Sequence, residues 1–384
     1  MLRRLLEFPR TPPGSFFLWG PRQVGKSSLL TATYPRATRV DLLRTDDYVR
    51  YVARPSLLRD ELRDAPAGTL TLIDEVQKVP ALLDEVHWLI ENRSLVFGLC
   101  GSSARKVRRG HANLLGGRAV RHELFGLVSG ELGDGFDLSR MANHGCLPRH
   151  YLADDPRRLL RAYVDDYLKE EIAAEGLSRN LPAFATFLSA AALSDAELVN
   201  YTNIARECGV SAPAVKDYFS ILVDSLLGRF LSAYTRRPKR RVIQAPKFYF
   251  ADVGVVNHLA RRGTVAPGSD VFGKALENVI HHELTAYREY RDRQWELSYW
   301  RLASGTEVDF VVHDDRIVAA IEVKSTARAH DNHLTGLRAI AQDHKRIPRR
   351  ILACLEPRRR VTADGIEIVP VTDFLRRLWA DGVV

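Results

Sequence analysis

Residues 20–27 read Gly20-Pro21-Arg22-Gln23-Val24-Gly25-Lys26-Ser27, fitting the phosphate-binding pattern GxxxxGK[ST] at every position. The run before it, Ser15-Phe16-Phe17-Leu18-Trp19, is apolar and aromatic, as a buried parallel strand would be. The run after it, Ser28-Leu29-Leu30, opens a helix. Strand, glycine loop and helix start form the context that gives the octapeptide its chemistry. Backbone N–H groups of Gly20 to Ser28 would converge on phosphates, aided by the positive end of the helix dipole. Lys26 would then reach the β- and γ-phosphates of ATP, and the Ser27 hydroxyl would bind Mg²⁺. A surface turn that happens to hold two glycines is the plain alternative, and the flanking runs argue against it.

Leu70-Thr71-Leu72-Ile73-Asp74-Glu75 is an apolar strand ending in two acids. Coming after a phosphate-loop lysine, the pair reads as a Walker B strand: Asp74 would hold Mg²⁺ through water and Glu75 would polarise the attacking water. Phosphoryl transfer calls for such parts because its catalysis is mostly positioning and charge neutralisation. A third strand, Leu95 to Cys100, runs into Gly101-Ser102-Ser103. Ser102 or Ser103 would sense a γ-phosphate there or cap the next helix. Arg118, after Leu114-Leu115-Gly116-Gly117, is a candidate arginine finger or an ordinary surface arginine.

With those residues in view, Trp19 to about Pro148 resembles a bacterial or archaeal AAA+-type P-loop ATPase. The resemblance rests on GPRQVGKSSLL, LIDEVQKVP, LCGSSAR and, more weakly, Gly145-Cys146-Leu147-Pro148. The family it resembles joins this ATPase to an uncharacterised C-terminal domain with a restriction-endonuclease-like fold. The implied architecture is α/β throughout. An AAA+-like parallel sheet with helices on both faces would span 1–150, a helical and winged-helix-like linker 151–250, and a PD-(D/E)xK nuclease-like domain 251–384.

Composition bounds these expectations. At 384 residues, two or three domains are the prior. The chain is 46% hydrophobic and 27% charged, without an apolar run long enough to span a bilayer and without the apolar core of a signal peptide. Cys100, Cys146, Cys208 and Cys354 lie far apart, which opposes structural zinc or a disulfide framework and favours a reducing cytoplasm. The net charge of +9 favours a polyanionic partner. Of 56 basic residues 46 are arginine, a skew that codon bias produces, so part of that basicity carries no meaning.

Residues 154–231 carry helical spacing. Tyr201 to Tyr218 reads as a helix-turn-helix: Ala205 at the crossing, Gly209 at the turn, Ser211 as cap, Val215 facing inward. As a DNA reader its second helix would present Ser211, Ala212, Lys216 and Asp217, with one basic group among them. That scarcity favours a winged-helix packing module. Arg229, Arg236, Arg237, Lys239, Arg240, Arg241 and Lys247, interleaved with Tyr234 and Phe248, form a basic stretch suited to a nucleic-acid backbone or to solvation. Pro238 and Pro246 make it a β-hairpin wing or an extended linker.

The last third carries a second signature. Lys274 to Leu284 is an amphipathic helix bearing Glu277; strands follow at 296–301, 305–312 and 317–324. A hairpin would place Asp309 and Glu322 on adjacent strands, and the period of two would put Glu322 and Lys324 on one face. Converging carboxylates make a hard oxygen site for Mg²⁺ or Mn²⁺, with Glu277 completing or orienting the shell and Lys324 orienting the nucleophile or neutralising charge. Val308 stands where proline is frequent in the superfamily, which leaves the carboxylate itself unaffected. The plain alternative is a set of polar strand ends on an amphipathic sheet. His281 and His282, adjacent on a helix, point in different directions and would not share an ion.

Together these readings give an ATP-binding and hydrolysing protein acting on nucleic acid, DNA foremost, through a metal-dependent nuclease-like domain. The alternative is a nucleotide-dependent switch whose C-terminal domain binds nucleic acid or protein without cutting. Monomer, dimer and ring are equally compatible with these residues.

Overall fold

The structure, a computed structural model, describes residues 2–103, 115–168, 180–236, 241–344 and 346–384. The chain divides into two compact units. One comprises Arg4–Gly126 with Asp224–Leu227; the other comprises Leu127–Val223 and Gly228–Val384, together with the extreme N-terminus.

In the first unit five strands, β1 (Ser15–Trp19), β2 (Thr38–Asp41), β3 (Leu70–Asp74), β4 (Val96–Gly101) and β5 (Ala119–Glu123), form a parallel sheet in the order β2-β3-β4-β1-β5. Parallel neighbours need crossovers, and the helices Lys26–Thr33, Thr45–Ala53, Leu57–Glu61 and Leu82–Arg93 lie in those connections. Every residue of β1 is buried, as its unbroken apolar run requires. Phe17, Trp19, Ile73, Val86, Leu89 and Leu99 belong to one core cluster. Strand packing is tight enough that a Cβ on Gly98 would stand 2.5 Å from Leu72 Cδ2. The phosphate loop leaves the carboxyl end of β1, where open parallel sheets place their ligand crevices.

The second unit is built on a mixed six-stranded sheet. Its members are β8 (Glu296–Arg301), β9 (Glu307–His313), β10 (Ile317–Val323), β11 (Arg349–Cys354), β12 (Arg360–Val361) and β13 (Glu367–Pro370), ordered β12-β13-β11-β10-β9-β8. β8, β9 and β10 are antiparallel neighbours, whereas β10, β11 and β13 run parallel. A separate antiparallel pair, β6 (Gly228–Leu231) and β7 (Lys247–Phe250), precedes the sheet in the chain. The helix Asp270–Tyr290 is buried along most of its length.

These boundaries differ from those expected at 150 and 250. Residues 127–150 go with the second unit because Gly145-Cys146-Leu147 wraps the Asp252 carboxylate. Asp252 Oδ2 accepts from the N–H groups of Cys146 at 2.8 Å and Leu147 at 2.9 Å. Residues 151–250 do not stand apart from 251–384 either. Asp195 accepts from Phe250 N at 2.8 Å and from Asn278 Nδ2 at 2.9 Å, all of them buried. A buried carboxylate must find such donors, and here they come from both sides of the expected boundary.

Two helices, Tyr201–Cys208 and Ala212–Asp224, are joined by a short turn with Gly209 at φ 64. Lys216, the one basic group of the second helix, lies over the Tyr201 ring at 5.3 Å. In the basic stretch Arg236 and Arg241 are exposed, whereas Lys247 and the two aromatics are buried. Phe248 packs among Phe219, Phe230 and Phe250, and Tyr234 packs against His313 and His344, so neither aromatic is free to stack bases. Arg236 donates to the Asp314 carbonyl, and Lys247 is 3% exposed. Arg237, Lys239 and Arg240 lie outside the described residues. Among the described residues no helix is long and apolar enough to cross a membrane.

Candidate functional site

Gly25 adopts φ 101 at the N-cap of the helix Lys26–Thr33, a left-handed conformation that turns the loop back over the helix start. Gly20 has no room for a side chain, since a Cβ would lie 2.4 Å from the Leu124 carbonyl oxygen. Arg4 braces the loop, donating to Val24 O at 2.7 Å and to Phe125 O at 2.5 Å. Lys26 Nζ is buried and donates to Gly20 O at 2.8 Å and Pro21 O at 3.1 Å. Burial lowers its pKa, opposed by the negative charges of Glu75 and Asp74.

The register of β3 on β4 brings the two following segments beside that loop. Ser27 Oγ donates to Asp74 Oδ2 at 2.5 Å. The other oxygen, Asp74 Oδ1, accepts from Glu75 N at 3.0 Å and Cys100 Sγ at 2.8 Å. Glu75 sits at φ 56, buried; Gln77 Nε2 donates to its Oε2, and Ser102 Oγ donates to the same oxygen at 3.3 Å. Gln77 Nε2 also reaches Ser102 Oγ at 3.1 Å. The structure thus brings Lys26, Ser27, Asp74, Glu75 and Ser102 together. Ser27 with Asp74 offers the hydroxyl-carboxylate oxygens that suit Mg²⁺. The sequence reading missed Gln77 and Cys100. Cys100 was accessible through the β3–β4 register, one step past Ile73↔Leu99. Burial raises its thiol pKa well above the ordinary value, with Asp74 adding to the effect.

Arg118 is not part of this assembly. It precedes the first rung of β5, Ala119 opposite Ser15, whereas the phosphate loop follows the last, Glu123 opposite Trp19. It therefore stands a strand's length away, about 13 Å at about 3.3 Å per residue, where Nε donates to Glu91. A finger acting on its own chain's phosphates is excluded by that position.

The second constellation lies in a cavity of about 690 Å³ lined by Lys247, Glu277, Glu307, Asp309, Glu322 and Lys324 among others. The register Ile321↔Phe310 sets Glu322 opposite Asp309 one step further along β10 and β9. Asp309 Oδ2 accepts from Val323 N at 2.8 Å, fixing its carboxylate. Lys324 Nζ lies 2.5 Å from Glu322 Oε1 and 3.8 Å from Asp309 Oδ2. Glu322 is buried, and its pKa is pushed well up by burial and by Asp309, against the pull of Lys324. Its Oε2 atom has no hydrogen-bond partner.

Glu277 reaches the cavity but is engaged there by other groups. Its Oε1 accepts from Lys247 Nζ at 2.8 Å and Tyr249 OH at 2.5 Å. Lys247 Nζ also contacts Glu307 and lies 3.8 Å from Asp309 Oδ1. Burial pulls the Lys247 ammonium down, yet Glu277, Asp309 and Glu307 outweigh it and raise its pKa. Burial likewise pulls Lys324 down, and Asp309 and Glu322 reverse it. Among the described residues no group of three or more His, Cys, Asp or Glu side chains is arranged to hold a metal ion. Glu277 therefore lines the same cavity as Asp309 and Glu322, with its Oε1 held by Lys247 and Tyr249. Asp309 and Glu322, with the orphaned Oε2, still fit a hard divalent cation, which commonly takes one or two carboxylates plus water and substrate oxygens. His281 stacks on Tyr249 at 4.1 Å, whereas His282 Nε2 meets Leu127 O at 3.1 Å, so the two histidines serve separate contacts.

Comparison with known proteins follows this division. Residues 13–133 match the family described as AAA domain. Residues 135–265 and 272–374 match two domains of unknown function, DUF8612 and DUF4143. No curated protein matches. Among solved structures, a point variant of RuvB from Thermotoga maritima is 14% identical, with 56% of this chain and 81% of that one covered and a TM-score of 0.28. The ADP form of ORC2 from Aeropyrum pernix is 14% identical over 65% of this chain and 88% of that one, with a TM-score of 0.32. Can2 of Sulfobacillus thermosulfidooxidans, in complex with cyclic tetra-adenylate, is 10% identical over 96% and 97%, with a TM-score of 0.20. Overlaps this loose do not establish a common fold. The family match and the five-stranded parallel sheet do: the N-terminal unit is a P-loop ATPase domain of the AAA type, followed by a mixed-sheet unit that carries the DUF4143 region.

Proposed function

We propose that this chain binds and hydrolyses ATP in its N-terminal unit and acts on nucleic acid, DNA foremost, through a PD-(D/E)xK nuclease-like pocket in its second unit. The observation that carries the first half is the convergence of Lys26, Ser27, Asp74 and Glu75 at one end of a parallel sheet. The loop Gly20 to Ser28 presents N–H groups to the phosphates, and Lys26 exchanges its two loop carbonyls for phosphate oxygens. Ser27 directly and Asp74 through water would hold Mg²⁺. Glu75 orients and polarises water, and Ser102, hydrogen-bonded to Glu75, senses the γ-phosphate.

For the second half, the supporting observation is Asp309 opposite Glu322, with Lys324 beside both. Asp309 and Glu322 would hold Mg²⁺ or Mn²⁺, which when bound lowers the pKa of water and stabilises charge on a phosphodiester. Lys324 neutralises charge at the phosphate, and Val323 N keeps Asp309 aimed at the cavity. Because both sites lie on one chain, nucleotide state would gate the second.

Cleavage of linear and circular DNA with Mg²⁺ or Mn²⁺, with and without ATP, tests this beside Asp309→Ala and Lys26→Ala. Metal-dependent products that vanish in Asp309→Ala are expected. Coupling fails if Lys26→Ala, shown unable to bind nucleotide, leaves those products unchanged in rate and substrate choice. A second reading, a nucleotide-dependent switch that binds without cutting, draws on Lys247, which already lies against three of the carboxylates. Nucleic-acid affinity that survives Asp309→Ala, with no products from the wild type at any metal concentration, would favour that reading instead.

A further inference from the structure

We propose that Lys247 is a built-in cation of the carboxylate pocket, limiting it to a single divalent ion held by Asp309 and Glu322. This rests on the reading of that pocket as a metal site. Lys247 belongs to β7, outside the six-stranded sheet, and no spacing in the Asp309-Glu322-Lys324 pattern anticipates it. Its ammonium is nevertheless buried, with Glu277 Oε1 at 2.8 Å, Asp309 Oδ1 at 3.8 Å and Glu307 Oε1 closer still. The centroid of the Tyr299 ring lies 5.8 Å from Nζ on a further side.

The carboxylates divide into two groups by what they have left to offer. Glu277 Oε1 accepts from both Lys247 and Tyr249. Glu307 meets Lys247 through Oε1 and Arg301 Nη1 through Oε2, the latter at 2.7 Å. A second ion drawing on Glu277 and Glu307 would have to sit beside the Lys247 ammonium, which contacts Oε1 of both, and would be repelled by its charge. Glu322, by contrast, keeps Oε2 without a partner, and Asp309 is held opposite it. An ammonium supplies one positive charge and three directed hydrogen bonds, but no open coordination position. Lys247 therefore neutralises and orients Glu277 and Glu307 without providing the Lewis acidity of a second metal. It is a positioning residue, and its effect is read in ion stoichiometry.

The test is Mn²⁺ titration of the full, nucleotide-free chain by electron paramagnetic resonance, counting as pocket ions those lost on Asp309→Asn or on Glu277→Gln. The wild type is expected to hold one such ion, and so is Lys247→Arg, which preserves the charge. Lys247→Met and Lys247→Gln are expected to gain a second, removed again by Glu277→Gln, and to bind the first at least tenfold more tightly. Two pocket ions in the wild type would overturn the proposal without recourse to any variant. Lys247→Met and Lys247→Gln proteins that keep the wild-type circular dichroism but bind one ion would overturn it while leaving the metal reading intact. No ion lost on Asp309→Asn in any protein would remove the metal reading, and the inference with it.

Discussion

Lys247 Nζ lies 2.8 Å from Glu277 Oε1, and this pair changes the role that Glu277's place on its helix suggests. Breaking a buried pair leaves an uncompensated charge, so Lys247→Met should cost about 3–5 kcal/mol. Adding Glu277→Gln removes the stranded carboxylate and should recover a large part of that loss. Denaturant unfolding of the two single variants and the double variant measures it; additive costs would show that the pair is not coupled.

The phosphate loop makes a separable prediction. Lys26→Ala should lower ATP turnover by about 10²–10³-fold, the scale for removing one preorganised charge-stabilising donor. Glu75→Gln should retain nucleotide binding while lowering turnover by about 10²–10⁴-fold, as for loss of a general base. Phosphate release and fluorescent-nucleotide binding distinguish the two. Wild-type turnover in Glu75→Gln would remove the residue from the chemistry.

Gly145→Ala should destabilise the second unit severely. Gly145 sits at φ 84, and a Cβ there would lie 2.1 Å from Asp252 Oδ1. Moving that carboxylate strands the N–H groups of Cys146, Leu147 and Val255, each costing about 1–3 kcal/mol when buried without a partner. Gly209→Ala, at φ 64 with no atom within 4 Å of its Cβ, should cost only about 1–2 kcal/mol. Thermal melts of the two variants should therefore differ widely, and equal shifts would contradict the crowding argument.

Stability should fall as pH rises from about 4.5 to 7. Burial pushes Asp195 up to about 7, against donation from Phe250 N and Asn278, and pushes Glu283 up to about 7, against donation from Trp379 and Ser129. In the unfolded chain both carboxyls ionise near pH 4, at their ordinary values of about 3.9 and 4.3. Between the unfolded and folded pKa values the native state binds more protons, so raising the pH favours unfolding. This contribution is complete below pH 4 and lost as pH passes through 7. Glu283→Gln should flatten the dependence of the melting midpoint on pH across that window; an unchanged slope would count against Glu283 as a source.

The two candidate sites were legible in the sequence to different depths. The octapeptide around Lys26 is contiguous, so its conformation follows from local glycine freedom and a helix start. Asp309 and Glu322 meet because a short hairpin fixes antiparallel register, and the observed strands lie within two residues of the expected ones. Gln77 beside Glu75 and Ser102 was not legible, because a glutamine three residues past a strand's end carries no periodic signal. The position of Arg118 was not legible for a similar reason: a basic residue near a glycine pair does not declare which end of the sheet it occupies.

By itself the sequence determined what local geometry and alternation can specify: a phosphate loop between strand and helix, an acidic strand end, and two carboxylates on paired strands. Tertiary structure alone decided where the units part, which aromatics of the basic stretch are buried, and which cation neutralises Glu277. The reason is physical. Lys247 and Glu277 are 30 positions apart, and their contact exists because folding buries both in one cavity, where neither charge is tolerated without the other.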